Sequence, residues 1–362
     1  MRLRYLAAVG GLIAALAAHA SEPQYTITDL GPSDGYASGA FALNNKGQIA
    51  GATDGNGWIR EPDGALTHLD PLPGFNGTVP AAISDNGTVA GRLGLTRGSV
   101  CFGATSPREH GFLYHNGKMT DTGILPGPSR PEGWPERRAW ATGVNDAGVV
   151  VGTADSPDGP VRPFVWHGGA MREVSGHAGN ATAISESGAV LGVVSPPSSE
   201  RRPFLWKDGE MTFLPTLDAG PAKPSAIPGA LNADDVIVGS SMSADGKMHA
   251  CLWKDGRVTD LGGLMDGVTS AATDINDAGV VVGTSGIPPS LAPPKGTMHA
   301  VRWTDGKISD LNSLLPAGSG WELTAAIAIN NDGAILGRGR KDDMFRSFLL
   351  RPAAPNGSAH RG

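Results

Sequence analysis

Along the chain, short apolar runs of Val, Ile, Leu and Ala alternate with polar clusters that contain Gly, Asn or Asp. The runs suit strands rather than long helices, and the clusters between them supply reversals of direction. One phrase recurs seven times, at residues 42–51, 82–91, 143–152, 183–192, 230–239, 274–283 and 328–337. All but one of the copies open on a small residue, and each has an Asn or Ser, two residues of which at least one is polar, usually a Gly, and then an apolar stretch that ends in Gly. This reads as strand, turn, strand. In the fifth copy Asp235 stands where the others have the turn glycine; Asp tolerates positive φ better than most residues, so the turn can survive.

A second phrase follows each of the first six copies. It occupies residues 110–121, 162–173, 202–213, 249–260 and 299–310, with a degenerate version at 58–69. Each contains a two-residue reversal: Asp63-Gly64, Asn116-Gly117, Gly168-Gly169, Asp208-Gly209, Asp255-Gly256 or Asp305-Gly306. Asn-Gly and Asp-Gly between apolar runs are strong hairpin signals, because a type I′ turn needs positive φ at both central positions. Two hairpins make four short strands per unit, which is one propeller blade. After the seventh copy only a third strand follows, at residues 346–351, while residues 25–31 match the fourth-strand residues 258–262. The pattern predicts an all-β, seven-bladed β-propeller of four-stranded blades, closed by the N-terminal strand pairing with the last blade. Closure of that kind hides two sheet edges that would otherwise invite aggregation.

These phrases, taken as a set over residues 25–351, resemble the HAF-repeat family of bacterial extracellular repeat proteins. The His-Ala-Phe element itself departs from the family form. It stands here as His110-Gly111-Phe112, His249-Ala250-Cys251 and His299-Ala300-Val301, with Arg-Pro-Phe at 162–164 and 202–204. The resemblance implies secretion or surface exposure and no established reaction.

Composition narrows the setting. Arg2 and Arg4, the apolar stretch of residues 5–18 and the small-x-small site at Ala18-His19-Ala20 predict a signal peptide over 1–20. A single propeller domain over 21–352 and a disordered tail over 353–362 complete the expected organisation, and the location is periplasmic or extracellular. Of 29 basic residues, two lie in the leader, leaving 27 against 35 acidic ones, a net charge of about −8. An acidic product without a long basic run is a poor nucleic-acid partner. No later segment is long and apolar enough to span a membrane as a helix, and a monomer is expected. Cys101 and Cys251 sit in dissimilar contexts, one in a long loop and one in a predicted strand, which argues against a disulfide between them. There is no phosphate loop, zinc spacing or Gly-x-Ser-x-Gly elbow, so no cofactor, metal or catalytic residue is assigned.

The most regular polar pattern is a cation followed eleven positions later by an anion: His110/Asp121, Arg162/Glu173, His249/Asp260 and His299/Asp310. Arg346 finds its anion, Asp29, through the closing strand, and Arg202 faces Phe213 instead. One pair per blade is a structural repeat rather than a catalytic site, which needs unlike groups converging on one point. The residues four places after each cation, Tyr114, Trp166, Trp206, Trp253, Trp303 and Leu350, are expected in the core between blades. The Asn and Ser of the first phrase read as backbone-capping groups.

In such a blade the first-to-second and third-to-fourth turns share one face of the disc. All tight turns are expected there. The long segments 92–109, 126–140, 218–228, 286–298 and 315–325 fall on the other face, the expected binding face. Its richest cluster is Arg97, Arg108, Arg130, Trp134, Arg137, Arg138 and Trp140, suited to an envelope carbohydrate or polyanion, or to another protein. The function read here is a secreted, non-catalytic binding or scaffold propeller. The alternative is a glycan hydrolase or lyase working at the axial funnel.

Overall fold

A computed structural model describes residues 24–35, 37–94, 109–128, 136–197, 200–287 and 298–353. Its 28 strands form seven four-stranded antiparallel sheets, so the chain is a seven-bladed β-propeller. Blades one to six run consecutively over residues 39–69, 78–123, 139–173, 178–213, 226–260 and 270–310. The seventh takes its three inner strands from residues 321–352 and its outermost from Tyr25–Pro32, which pairs antiparallel with Met344–Pro352. The predicted leader and most of the tail lie outside the described residues.

The first repeated phrase builds the inner hairpin of each blade. A backbone N–H of the glycine at the turn bonds the carbonyl of the Asn or Ser that opens it, as in Gly47 to Asn44 and Gly148 to Asn145. Asp235 takes that place in blade five with φ 56°. Every innermost strand pair carries a β-bulge at the start of the phrase, for example between Ala141 and Gly143. Bulges bend the strand and increase its twist, which helps an inner strand follow the rim of a central channel.

The glycine that ends the phrase has a packing role. A Cβ on Gly152 would lie 2.1 Å from the Trp140 carbonyl oxygen and 2.9 Å from the Phe164 ring, and one on Gly337 would lie 2.3 Å from Phe348. The outer hairpin thus drops an aromatic ring onto bare backbone. Phe112, Phe164, Phe204 and Phe348 are all fully buried in this column, as are Cys251 and Val301 in the remaining regular blades. Trp166, Trp253, Trp303 and Leu350 are buried between blades, whereas Tyr114 and Trp206 are only partly so.

The outer turns have the expected left-handed pairs at 116–117, 168–169, 208–209, 255–256 and 305–306. Two expectations need correction. Around Asp63-Gly64 the reversal is a wider loop spanning residues 61–65, closed by Glu61 N–H to the Ala65 carbonyl, and only Gly64 has positive φ. Tight turns are also not confined to one face. Asp54-Gly55 and Asp342-Asp343 are tight second-to-third turns, each with positive φ at both positions. An aspartate in the left-handed region serves there because its short side chain adds little steric cost.

Deleting residues 21–31 leaves the Met344–Pro352 strand with an open edge. It should replace the cooperative thermal transition with aggregation, as followed by circular dichroism and light scattering.

Candidate functional site

The repeated cation–anion pairs form, and the aspartates among the anions do a second job. His110 Nδ1 lies 2.8 Å from both Asp121 oxygens, His249 Nδ1 2.8 Å from Asp260 and His299 Nδ1 2.7 Å from Asp310. Arg162 donates to Glu173 at 2.8 Å, and Arg346 Nε donates to both Asp29 oxygens at 2.8 Å. Asp29, Asp121 and Asp260 also accept the backbone N–H two residues on, from Gly31, Gly123 and Gly262. These aspartates therefore pin the outer hairpin and shape the exit to the next blade, an Asx turn completed by a left-handed glycine. Arg202 instead stacks over Phe213, 3.8 Å from the ring centroid.

The anticipated basic cluster divides. Arg97, Arg108, Arg130 and Trp134 lie outside the described residues. Arg137 is buried, 7% exposed, and donates to the carbonyls of Leu125 and Gly127. Its guanidinium is spent on backbone rather than presented to a ligand. Arg138 lies 3.5 Å from Asp155 and 5.8 Å above the Trp140 ring, so only these two remain at the described surface of the cluster. Cys251 is a buried free thiol with its pKa pushed upward by burial and by the charge of Asp260.

The axial mouth on the tight-turn face was not singled out in the sequence. A cavity of about 480 Å³ opens there, lined by inner-turn residues of every blade. Around its rim each turn hands a hydrogen bond to the next: Asn45 N–H to Asp85, Asn86 N–H to Asp146, Asp146 N–H to Glu186, Ala233 N–H to Asp277, Asp277 N–H to Asn331 and Asn331 N–H to Asn45. The interruption is at blade five, where Ala233 offers no acceptor. Burial, with Asp146 and Asp85 nearby, raises the Glu186 pKa despite its bond to the Asp146 amide.

Deeper in the channel stands Asp274, where the other six copies have Ala or Gly. Its oxygens accept the Ile275 and Ile329 amides, joining blade six to blade seven. The side chain meets the lumen, yet the surrounding protein removes most of its solvent. That burial pushes its pKa up to about 7 against the pull of the two amides. The departure from the repeat was visible in the sequence; its axial position needed the ring. Among the described residues no group of three or more His, Cys, Asp or Glu is placed to hold a metal ion, and no helix is long and apolar enough to cross a membrane.

No protein-family model matches the chain, and no curated protein matches it. Solved structures do resemble it. A chain of the mitotic checkpoint complex is 13% identical, with 98% of this chain and 100% of that one covered and a TM-score of 0.51. Virginiamycin B lyase from Staphylococcus aureus is 12% identical over 91% of this chain and all of its own, with a TM-score of 0.48. The SapL1 lectin, solved with alpha methyl fucoside, is 14% identical over 79% and 98%, with a TM-score of 0.39. The likeness to the first is one of fold alone.

Two expected outcomes follow from these bonds. Ala233→Asn supplies the absent acceptor for the Glu186 amide and should stabilise the ring by about 0.5–1 kcal/mol, measured by urea unfolding. The second concerns pH. Burial depresses the His249 pKa, but Asp260 and Asp245 outweigh it and raise the value, and the Asp310 hydrogen bond raises that of His299. A raised histidine pKa adds stability that is complete below the unfolded value near 6.5 and is lost as pH rises through the folded value. The double variant His249→Gln/His299→Gln should therefore be less stable than the parent by about 1 kcal/mol at pH 5.5 and approach it by pH 9, measured by chemical denaturation at each pH.

Proposed function

We propose that this protein is an exported, non-catalytic binding propeller of the HAF-repeat type that works in the periplasm or outside the cell. It engages an envelope carbohydrate, polyanion or protein on the face of the second-to-third turns and blade-to-blade connections. The observation that carries this reading is the state of the opposite, tight-turn mouth. There Asp85, Asp146 and Asp277 each accept a backbone amide from the preceding blade, so the carboxylates that dominate the axis are engaged in holding the ring. A binding face is better sought among the longer connections of the other face, since surface connections between strands are where binding residues concentrate.

The competing reading, a glycan hydrolase or lyase at the axial funnel, would draw on Asp274, whose pKa near 7 suits a general acid or base. Both of its oxygens already receive backbone amides, and the other carboxylates lining the cavity, Asp85, Glu186 and Asp277, each accept a backbone amide of their own. The geometry supports a structural strut between blades more than an acid–base pair.

The reading is tested in the producing bacterium. The mature chain should be recovered outside the cytoplasm with Ser21 at its N-terminus, and the purified protein should co-sediment with isolated envelope polysaccharide. Arg138→Ser/Trp134→Ala should weaken that association several-fold if the basic cluster is the contact. An uncleaved cytoplasmic chain, or no association with any envelope fraction, would count against the proposal.

A further inference from the structure

Where the first and seventh blades meet, the two tight second-to-third turns, Asp54-Gly55 and Asp342-Asp343, leave the disc face open. Other blades carry longer connections in this place, such as 156–160, 196–201 and 243–247. The opening is a notch of about 530 Å³, within the range of small-molecule sites. Its wall is apolar: Leu30, Pro32, Trp58, Met344 and Phe345. Met344 and Phe345 are 55% and 56% exposed, unusual for side chains of their size.

Trp58 is there for a reason of register. It lies opposite Gly51, the position that holds buried Phe112, Phe164, Phe204, Cys251, Val301 or Phe348 opposite the matching glycine elsewhere. An indole fills that column only by lying within 2.5 Å of where a Gly51 Cβ would be, and the ring remains partly exposed toward the notch. Its Nε1 donates to Thr53 Oγ1 at 3.2 Å.

The polar edge of the notch is formed by Ser33, Asp34, Ser38, Thr53 and Asp54. Asp34 accepts the Ala37 and Ser38 amides and Ser38 Oγ accepts the Asp54 amide, so this edge is held in place. Ser33 differs from the rest. It is 7% exposed, its Oγ is buried, and among the described residues that hydroxyl has no hydrogen-bond partner. A buried hydroxyl without a partner costs free energy that a bound group can recover.

We propose that this notch binds a neutral saccharide, with an apolar sugar face on Trp58 and Phe345 and sugar hydroxyls on the Asp34, Ser38 and Asp54 edge, where a turn of the Ser33 side chain about its Cα–Cβ bond brings the buried Oγ to the ligand. A sugar ring has a C–H face and a hydroxyl edge, matching an aromatic wall beside hydroxyl and carboxylate acceptors. The two carboxylates at the edge oppose an anionic ligand. The proposal rests on the binding-propeller reading and names its ligand class and place.

The test is titration calorimetry of the mature chain with neutral methyl glycosides of hexoses and N-acetylhexosamines and with their short oligomers. At least one should bind, Phe345→Ala should weaken it ten-fold or more, and Ser33→Ala should weaken it about three-fold or more. Neither variant should lower the melting temperature, because Phe345 is exposed and the Ser33 hydroxyl has no partner among the described residues. Absence of binding to every neutral glycoside overturns the proposal, as does binding that Phe345→Ala leaves unchanged. If the chain still associates with envelope polysaccharide in either case, the binding-propeller reading survives while the notch does not; loss of both removes both. A drop in melting temperature for Ser33→Ala would make its hydroxyl structural and also overturn the assignment.

Discussion

Five of the seven blades depend on one side chain doing two things at once, and blades two and four have Ser84 and Ser185 in its place. The Asn that opens the inner turn accepts, through Oδ1, the amide four residues on, as Asn145 does from Val149 and Asn330 from Ala334. Through Nδ2 it donates to the carbonyl of the same turn in the next blade: Asn44 to Ser84, Asn145 to Ser185, Asn232 to Asn276 and Asn276 to Asn330. The last link, Asn330 to Asn44, joins the end of the chain to its beginning across 286 positions. Local turn chemistry and ring closure are therefore the same bond set, and these asparagines are buried, where an unmade hydrogen bond is costly. A propeller has no central core to organise it. Each blade meets only its neighbours, so order has to be passed from one interface to the next around the circle.

The outer hairpins repeat the same economy with different groups. A His or Arg on the third strand meets an anion on the fourth, and the aspartates among these anions also cap the turn toward the next blade. Exposed pairs of this kind contribute little each, but their geometry sets the angle at which the chain leaves a blade. The phenylalanine beside the cation packs on the terminal glycine of the first phrase. In blades two, three, four and seven cation, aromatic ring and glycine thus belong to one packing unit, and Cys251 and Val301 take the place of the ring in blades five and six. Blade four replaces the charge pair with Arg202 over Phe213, keeping the planar cation and exchanging the anion for a ring face.

The ring was legible in the sequence because its signals are periodic and local. Seven copies of one turn count the blades, and the orphan strand at residues 25–31 marks the missing piece of the last. The left-handed pairs at the outer turns followed from Asn-Gly and Asp-Gly, and Asp235 from its place in the repeat. Arg137 was misjudged for a physical reason: an arginine beside tryptophans looks like a ligand contact until the carbonyls of Leu125 and Gly127 are brought within reach. Asp274 and the acidic rim were hidden differently. They come from four separate copies of the phrase and become neighbours only when the inner strands are gathered at the axis. Asp54-Gly55 and Asp342-Asp343 belong to no repeated phrase, and among the described residues such turns occur in blades one and seven.

Those two turns lie at the seam, and the seam is where the repeat is least constrained. Blade one takes no charge pair: Asn56 and Trp58 replace the usual cation and phenylalanine, and Trp58 lies opposite His68 rather than an anion. Stability there comes from other bonds. Thr78 Oγ1 accepts the Gly57 amide and donates to the Leu69 carbonyl, tying blade one to blade two, and Ser347 Oγ accepts the Ala40 amide, tying blade seven to blade one. With the strand Tyr25–Pro32 pairing on one side and the Asn330 link on the other, this junction is held by strand pairing and by a few buried polar side chains. Side chains that the repeat does not prescribe are the ones free to serve another purpose. The exposed Phe345, the partly exposed Trp58 and the buried Ser33 hydroxyl gather at this one junction, where the repeat is broken.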